Sequence, residues 1–101
     1  MSKSLFEITE QELKIKIQKA YYDFKSGRNW EIFGYLEDEY CKNPNLCFNS
    51  AERETRYYFF RFCWDTYGHA IIQWNYEDGW ADITLDRLVE KLMYIIKRYY
   101  Q

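Results

Sequence analysis

The sequence predicts an α+β fold: two N-terminal helices, a three-stranded antiparallel β-meander, and a C-terminal helix packed on the sheet. Three observations carry that expectation. Apolar residues recur at helical spacing near both ends of the chain. Between them, residues 56–80 are crowded with Tyr, Phe and Trp and alternate as strands do. Turn residues interrupt this stretch at Asp65–Gly68 and again at Asp78-Gly79.

The first helix starts at a capping box, Thr9 with Glu12, and Ile8 with Leu13 supplies the hydrophobic staple. Leu13, Ile17, Ala20, Tyr21 and Phe24 then share one face, and Gly27 closes the element. Asn29 is placed to cap a second, shorter helix with Trp30, Phe33, Leu36 and Tyr40 on one side. Lys42-Asn43-Pro44-Asn45 ends that helix, and residues 41–52 read as a loop.

Tyr58, Phe60, Phe62 and Trp64 alternate with Tyr57, Phe59, Arg61 and Cys63, the pattern of a strand. A helix from Ser50 competes, because Asn49 and Glu52 also have capping-box spacing. The aromatic content after Arg56 favours the strand. Asp65-Thr66-Tyr67-Gly68 suits a type I turn, with Asp first and Gly last. A second strand places Ile72, Trp74 and Tyr76 on one face and Ile71, Gln73 and Asn75 on the other. A third, short strand is expected around Trp80–Ile83. Thr84 caps the last helix, whose Leu85, Leu88, Val89, Leu92, Ile95, Ile96 and Tyr99 form an apolar stripe. Lys97 and Arg98 suit its negative C-terminal end.

Two long helices cover one face of a three-stranded sheet well. That face is expected to carry Tyr58, Phe60, Phe62, Trp64, Ile72 and Trp74. The other, with Tyr57, Phe59 and the hairpin ends, is left to the second helix, solvent or a partner.

The 101 residues suit a single domain, 1–101, and aromatic residues make up an unusual 22% of them. The N-terminus lacks a signal-peptide pattern, and no segment has the apolar length to span a bilayer. Cys41, Cys47 and Cys63 cannot all pair within one chain, so free thiols and a cytoplasmic location are expected. The net charge of −2 is unevenly placed. Residues 65–86 hold Asp65, Glu77, Asp78, Asp82 and Asp86 and no Lys or Arg.

No catalytic, cofactor or metal site is expected. Cys41, Cys47, Cys63 and His69 are candidate soft ligands, but their spacing lacks the short knuckles of common zinc modules. Cys63 with His69 and Asp65 would need an oxyanion hole that no nearby motif offers. Glu37-Asp38-Glu39 would point in different directions on a helix, as a solvated run does. The glycines are scattered singly, so no phosphate loop exists. Aromatic strands stack bases only beside a basic field, and here the neighbouring charge is acidic.

Residues 18–40, QKAYYDFKSGRNWEIFGYLEDEY, resemble the opening of small cone-shaped proteins like nuclear transport factor 2. There a helix, a glycine-containing turn and a second helix precede a curved sheet. The resemblance covers under half the chain, rests on no specific motif and carries no site residue across.

Short, mildly acidic, rich in Tyr and Trp and without a catalytic motif, the chain is similar in profile to toxin-immunity and phage anti-defence proteins, anti-CRISPR proteins among them. The expected function is non-enzymatic inhibition of a basic nuclease or other nucleic-acid-binding enzyme, with no direct nucleic acid or membrane contact. The expected contact residues are Asp65, Tyr67, Trp74, Tyr76, Glu77, Asp78, Trp80 and Asp82. A homo-oligomer that buries its aromatic sheet face is the alternative.

Overall fold

A computed structural model describes residues 8–37, 45–50, 59–76 and 79–99. Helix α1 (Glu10–Ser26) is followed by strands β1 (Ile32–Glu37), β2 (Asn45–Asn49), β3 (Phe60–Trp64), β4 (Ala70–Tyr76) and β5 (Gly79–Asp82), and then by helix α2 (Leu85–Tyr99). All five strands belong to one antiparallel sheet in the order β2-β1-β3-β4-β5.

The class and the terminal helices agree with the sequence, whereas the second helix and the strand number do not. Ile32–Glu37 is a strand, with Glu37 at its end. Its short aromatic segment fits helical spacing through Trp30, Phe33 and Leu36, and it equally fits alternation through Phe33 and Tyr35. Gly34 in mid-segment weighs against the helix, where it would cost about 1 kcal/mol relative to Ala. Asn45–Asn49, expected as loop, is the edge strand paired to β1 from Phe33↔Asn49 to Glu37↔Asn45. Residues 51–58, and with them the competing helix from Ser50 and the positions Tyr57 and Tyr58, lie outside the described residues.

The caps are built as their residues dictate. Thr9 Oγ1 accepts from the Glu12 backbone N–H at 3.1 Å, and Glu12 Oε1 accepts in return from the Thr9 N–H at 3.4 Å. Ile8 packs against the core that contains Leu13. At the far end the Asn29 N–H reaches Phe24 O and the Arg28 N–H reaches Lys25 O, a Schellman pair. Gly27 is the C-cap in right-handed conformation, and Arg28 takes the left-handed position at φ 49°. Thr84 Oγ1 accepts from the Arg87 N–H at 3.3 Å and opens α2.

Both helices pack on one face of the sheet. Leu13, Ile17 and Phe24 from α1 and Leu88, Val89, Leu92 and Ile96 from α2 meet Phe60, Phe62, Ile72, Trp74 and Leu46 in one buried cluster. The aromatic run is therefore core along one side. Phe62 alone stands 5.1 Å from the Tyr21 ring, 5.8 Å from Phe24 and 6.0 Å from Phe48. Phe59 departs from the expected alternation: its ring lies 5.9 Å from Trp74 and packs against the helix-side core. On the sheet face away from the helices, Phe33 and Tyr35 form a second buried cluster with Cys47 and Trp80 against them. The glycine at 34 has the opposite role. It clears room on the helix side for the ring of Phe60, its cross-strand neighbour.

Candidate protein-contact surface

Two features organise the described surface: the end of the sheet at the β3–β4 turn and the face away from the helices. Each follows from local sequence.

The β3–β4 turn is built around Asp65. Its Oδ1 accepts from the backbone N–H groups of Tyr67 at 2.8 Å and His69 at 2.9 Å, and Gly68 N–H donates to Asp65 O at 3.1 Å. Gly68 holds φ 80°, which only glycine adopts without cost, so the expected turn is present. The backbone donors, His69 first and then Tyr67, hold the Asp65 carboxyl below its ordinary range. Such a turn points residue 67 outward, and Tyr67 is 85% exposed.

Beside this turn lies the α1–β1 connection. The Trp64 indole Nε1 donates to Asn29 O at 2.7 Å, pinning that connection to the end of β3. Trp30, the next residue, is 87% exposed. Trp30 and Trp64 line a groove of about 400 Å³ together with Glu31, Arg61, Cys63 and Asp65. Burial raises the Cys63 thiol above its usual range, only partly offset by Arg61, which makes it a weaker nucleophile near neutral pH.

A polar row crosses the face away from the helices. Arg61 Nη1 donates to Glu31 Oε2 at 2.9 Å, while Nε and Nη2 reach Gln73 Oε1 at 2.8 and 2.6 Å. Gln73 Nε2 then donates to Asp82 Oδ1 at 2.9 Å. The Arg61 guanidinium also lies 4.4 Å over the Trp80 ring, whose other neighbour is Phe33 at 6.0 Å. Strands β1, β3, β4 and β5 are thereby tied through side chains as well as through their ladders.

The sequence-predicted contact residues do not converge. Asp65 and Tyr67 sit at one end, and Trp80 and Asp82 lie on the face away from the helices. Tyr76, 46% exposed, stands towards the other end with Lys91 Nζ 5.3 Å from its ring. Trp74 is 8% exposed and belongs to the core beneath α2, where Lys91 also lies 5.4 Å from its ring. Glu77 and Asp78 fall outside the described residues.

Trp30, Glu31 and Arg61 are not among the contact residues the sequence suggests. The expected second helix sets Trp30 on one side with Phe33, Leu36 and Tyr40, but Ile32–Glu37 is a strand. The signal for Arg61 was present, since it is the one cation set among alternating aromatics.

Among the described residues no group of three or more His, Cys, Asp or Glu could hold a metal ion. Cys41, one of the candidate ligands, lies outside them. Among the same residues no helix is long and apolar enough to cross a membrane. No protein-family model matches the chain, and neither curated proteins nor solved structures offer a match. The surface geometry is thus the ground for any functional reading.

Proposed function

We propose that this protein is a non-enzymatic inhibitor that binds another protein through the β3–β4 end of its sheet. The observation that carries the reading is that two almost fully exposed rings, Trp30 in the α1–β1 connection and Tyr67 in the β3–β4 turn, lie at the end of the sheet that also carries Glu31 and Asp65. Large exposed rings favour aggregation unless a partner covers them, and at interfaces Trp and Tyr supply much of the binding energy. Arg61, the cation that lines the groove, is already engaged by Glu31, Gln73 and Trp80. Glu31 and Arg61 offset one another, which leaves the Asp65 carboxylate as the remaining charge of the groove lining, and it favours a basic partner group. A nuclease or another nucleic-acid-binding enzyme has such a site, which matches an anti-defence or toxin-immunity role.

Asp65 and Tyr67 remain in the contact set from the sequence, and Trp30 and Glu31 join them. Trp74 leaves it, because its ring packs inside.

The test is capture from the native host with the unaltered protein and with Trp30→Ala and Tyr67→Ala, followed by an activity assay on the captured enzyme. A basic enzyme should be inhibited stoichiometrically, and each substitution should speed dissociation. Association should slow as salt rises. Capture that is indifferent to both substitutions and to salt would move the interface elsewhere. A stable dimer by light scattering that dissociates on Trp30→Ala would favour the homo-oligomer instead.

A further inference from the structure

Resting on that reading, we infer that the groove between Trp30 and Trp64 receives an arginine side chain of the protein partner, stacked on indole and paired to the Asp65 carboxylate.

The groove has what a guanidinium needs. Trp64 is a fixed wall, held by its indole hydrogen bond to Asn29 O and packed 5.2 Å from the Phe24 ring. Trp30 is a second wall, and its exposure leaves a ring face open to the partner. Asp65 lines the groove as a carboxylate whose Oδ1 is taken by two backbone donors. Its Oδ2 is 3.7 Å from His69 Nδ1, too far for a hydrogen bond, so it retains capacity to accept. Arg28, two residues before Trp30, is exposed and does not line the groove.

The same chain already uses this mode of recognition one step along the sheet. Arg61 stacks 4.4 Å over Trp80 while donating to Glu31 at 2.9 Å. Because Arg61 and Glu31 are committed to one another, Asp65 is the charge of the groove lining left to meet a partner. A planar, weakly hydrated guanidinium suits paired indoles and a carboxylate better than an ammonium does. Phosphate would find the one lining cation, Arg61, already paired to Glu31 and would meet the Asp65 carboxylate, so it is disfavoured.

The test uses two capped amino acids of nearly equal shape, acetyl-arginine amide and acetyl-citrulline amide, of which only the first is charged. Each is titrated into the full-length protein, and the indole N–H signals of Trp30 and Trp64 are followed by nuclear magnetic resonance. The arginine compound should produce saturable shifts at both indoles and bind about tenfold more tightly than citrulline. Asp65→Asn keeps an acceptor for the turn, so the backbone spectrum should persist while the preference for arginine over citrulline falls to near unity. Equal responses to the two compounds, or an Asp65→Asn variant with its preference intact, would overturn the arginine assignment. Neither result touches the inhibitor reading, which stands or falls on whether Trp30 and Tyr67 are needed for capture.

Discussion

Gly34 faces Phe60 across the β1–β3 ladder, and the Phe60 ring occupies the space that any side chain at position 34 would require. A Cβ built there would overlap the ring. Phe60 is fully buried and is surrounded by Phe62 at 5.6 Å and Phe48 at 6.0 Å, so it has little room to move aside. Gly34→Ala is therefore expected to destabilise the protein by about 2–3 kcal/mol, despite replacing a strand glycine. Denaturant unfolding measures this. Adding Phe60→Leu to Gly34→Ala should cost less than the two single changes summed, because the shorter side chain relieves the overlap. Strict additivity would show that the two positions do not press on one another.

Arg28→Gly is expected to act in the other direction. Arg28 sits at φ 49° in the left-handed position of the α1 Schellman motif, where a Cβ is disfavoured and glycine is not. After the entropy that glycine loses on folding, a gain of about 0.5–1 kcal/mol remains. The melting temperature should rise by a few degrees, and an unchanged or lower value would contradict the cap assignment.

The two threonine caps should differ. Thr9 exchanges hydrogen bonds with Glu12 in both directions, whereas Thr84 accepts once, at 3.3 Å. Thr9→Ala should destabilise by about 1 kcal/mol and Thr84→Ala by rather less. Thermal melts that leave both variants at the wild-type value would show that neither cap matters.

Acid should expose Asp65. Its folded carboxyl titrates below the unfolded value of about 3.9, so the stabilisation it brings is present above that pH. That contribution disappears as pH falls through the lower, folded value. The wild type should accordingly melt higher than Asp65→Asn near neutrality, and the two curves should converge in strong acid. Parallel curves down to the lowest pH would mean that the turn gains nothing from the charge.

The parts of the fold legible in the sequence are those with a strong local signature. Thr9 with Glu12 and the long stripe from Leu85 to Ile96 predict helices that form as read. Phe60 and Phe62 alternating with Arg61 and Cys63 predict a strand whose aromatic side meets both helices, and it does. Asp65 and Gly68 specify a turn by chemistry contained within five residues. In each case the deciding hydrogen bonds or the burial period lie within one segment.

Tertiary structure decided the rest. Phe33 fits a helical period with Leu36 and an alternating one with Tyr35, and what selects the strand is distant: the Phe60 ring lies against Gly34, and β2 pairs along the other edge. Asn45–Asn49, between a Pro-Asn turn signal and a polar neighbour, has little strand character until β1 is beside it. The contact surface depended on the same event. With β1 in the sheet, Trp30 turns outward at its start and Arg61 finds Glu31, while Trp74, which the sequence offered as a contact, lies under α2. Strand pairing is a non-local interaction, and residue type alone does not say which neighbour a short aromatic segment will meet.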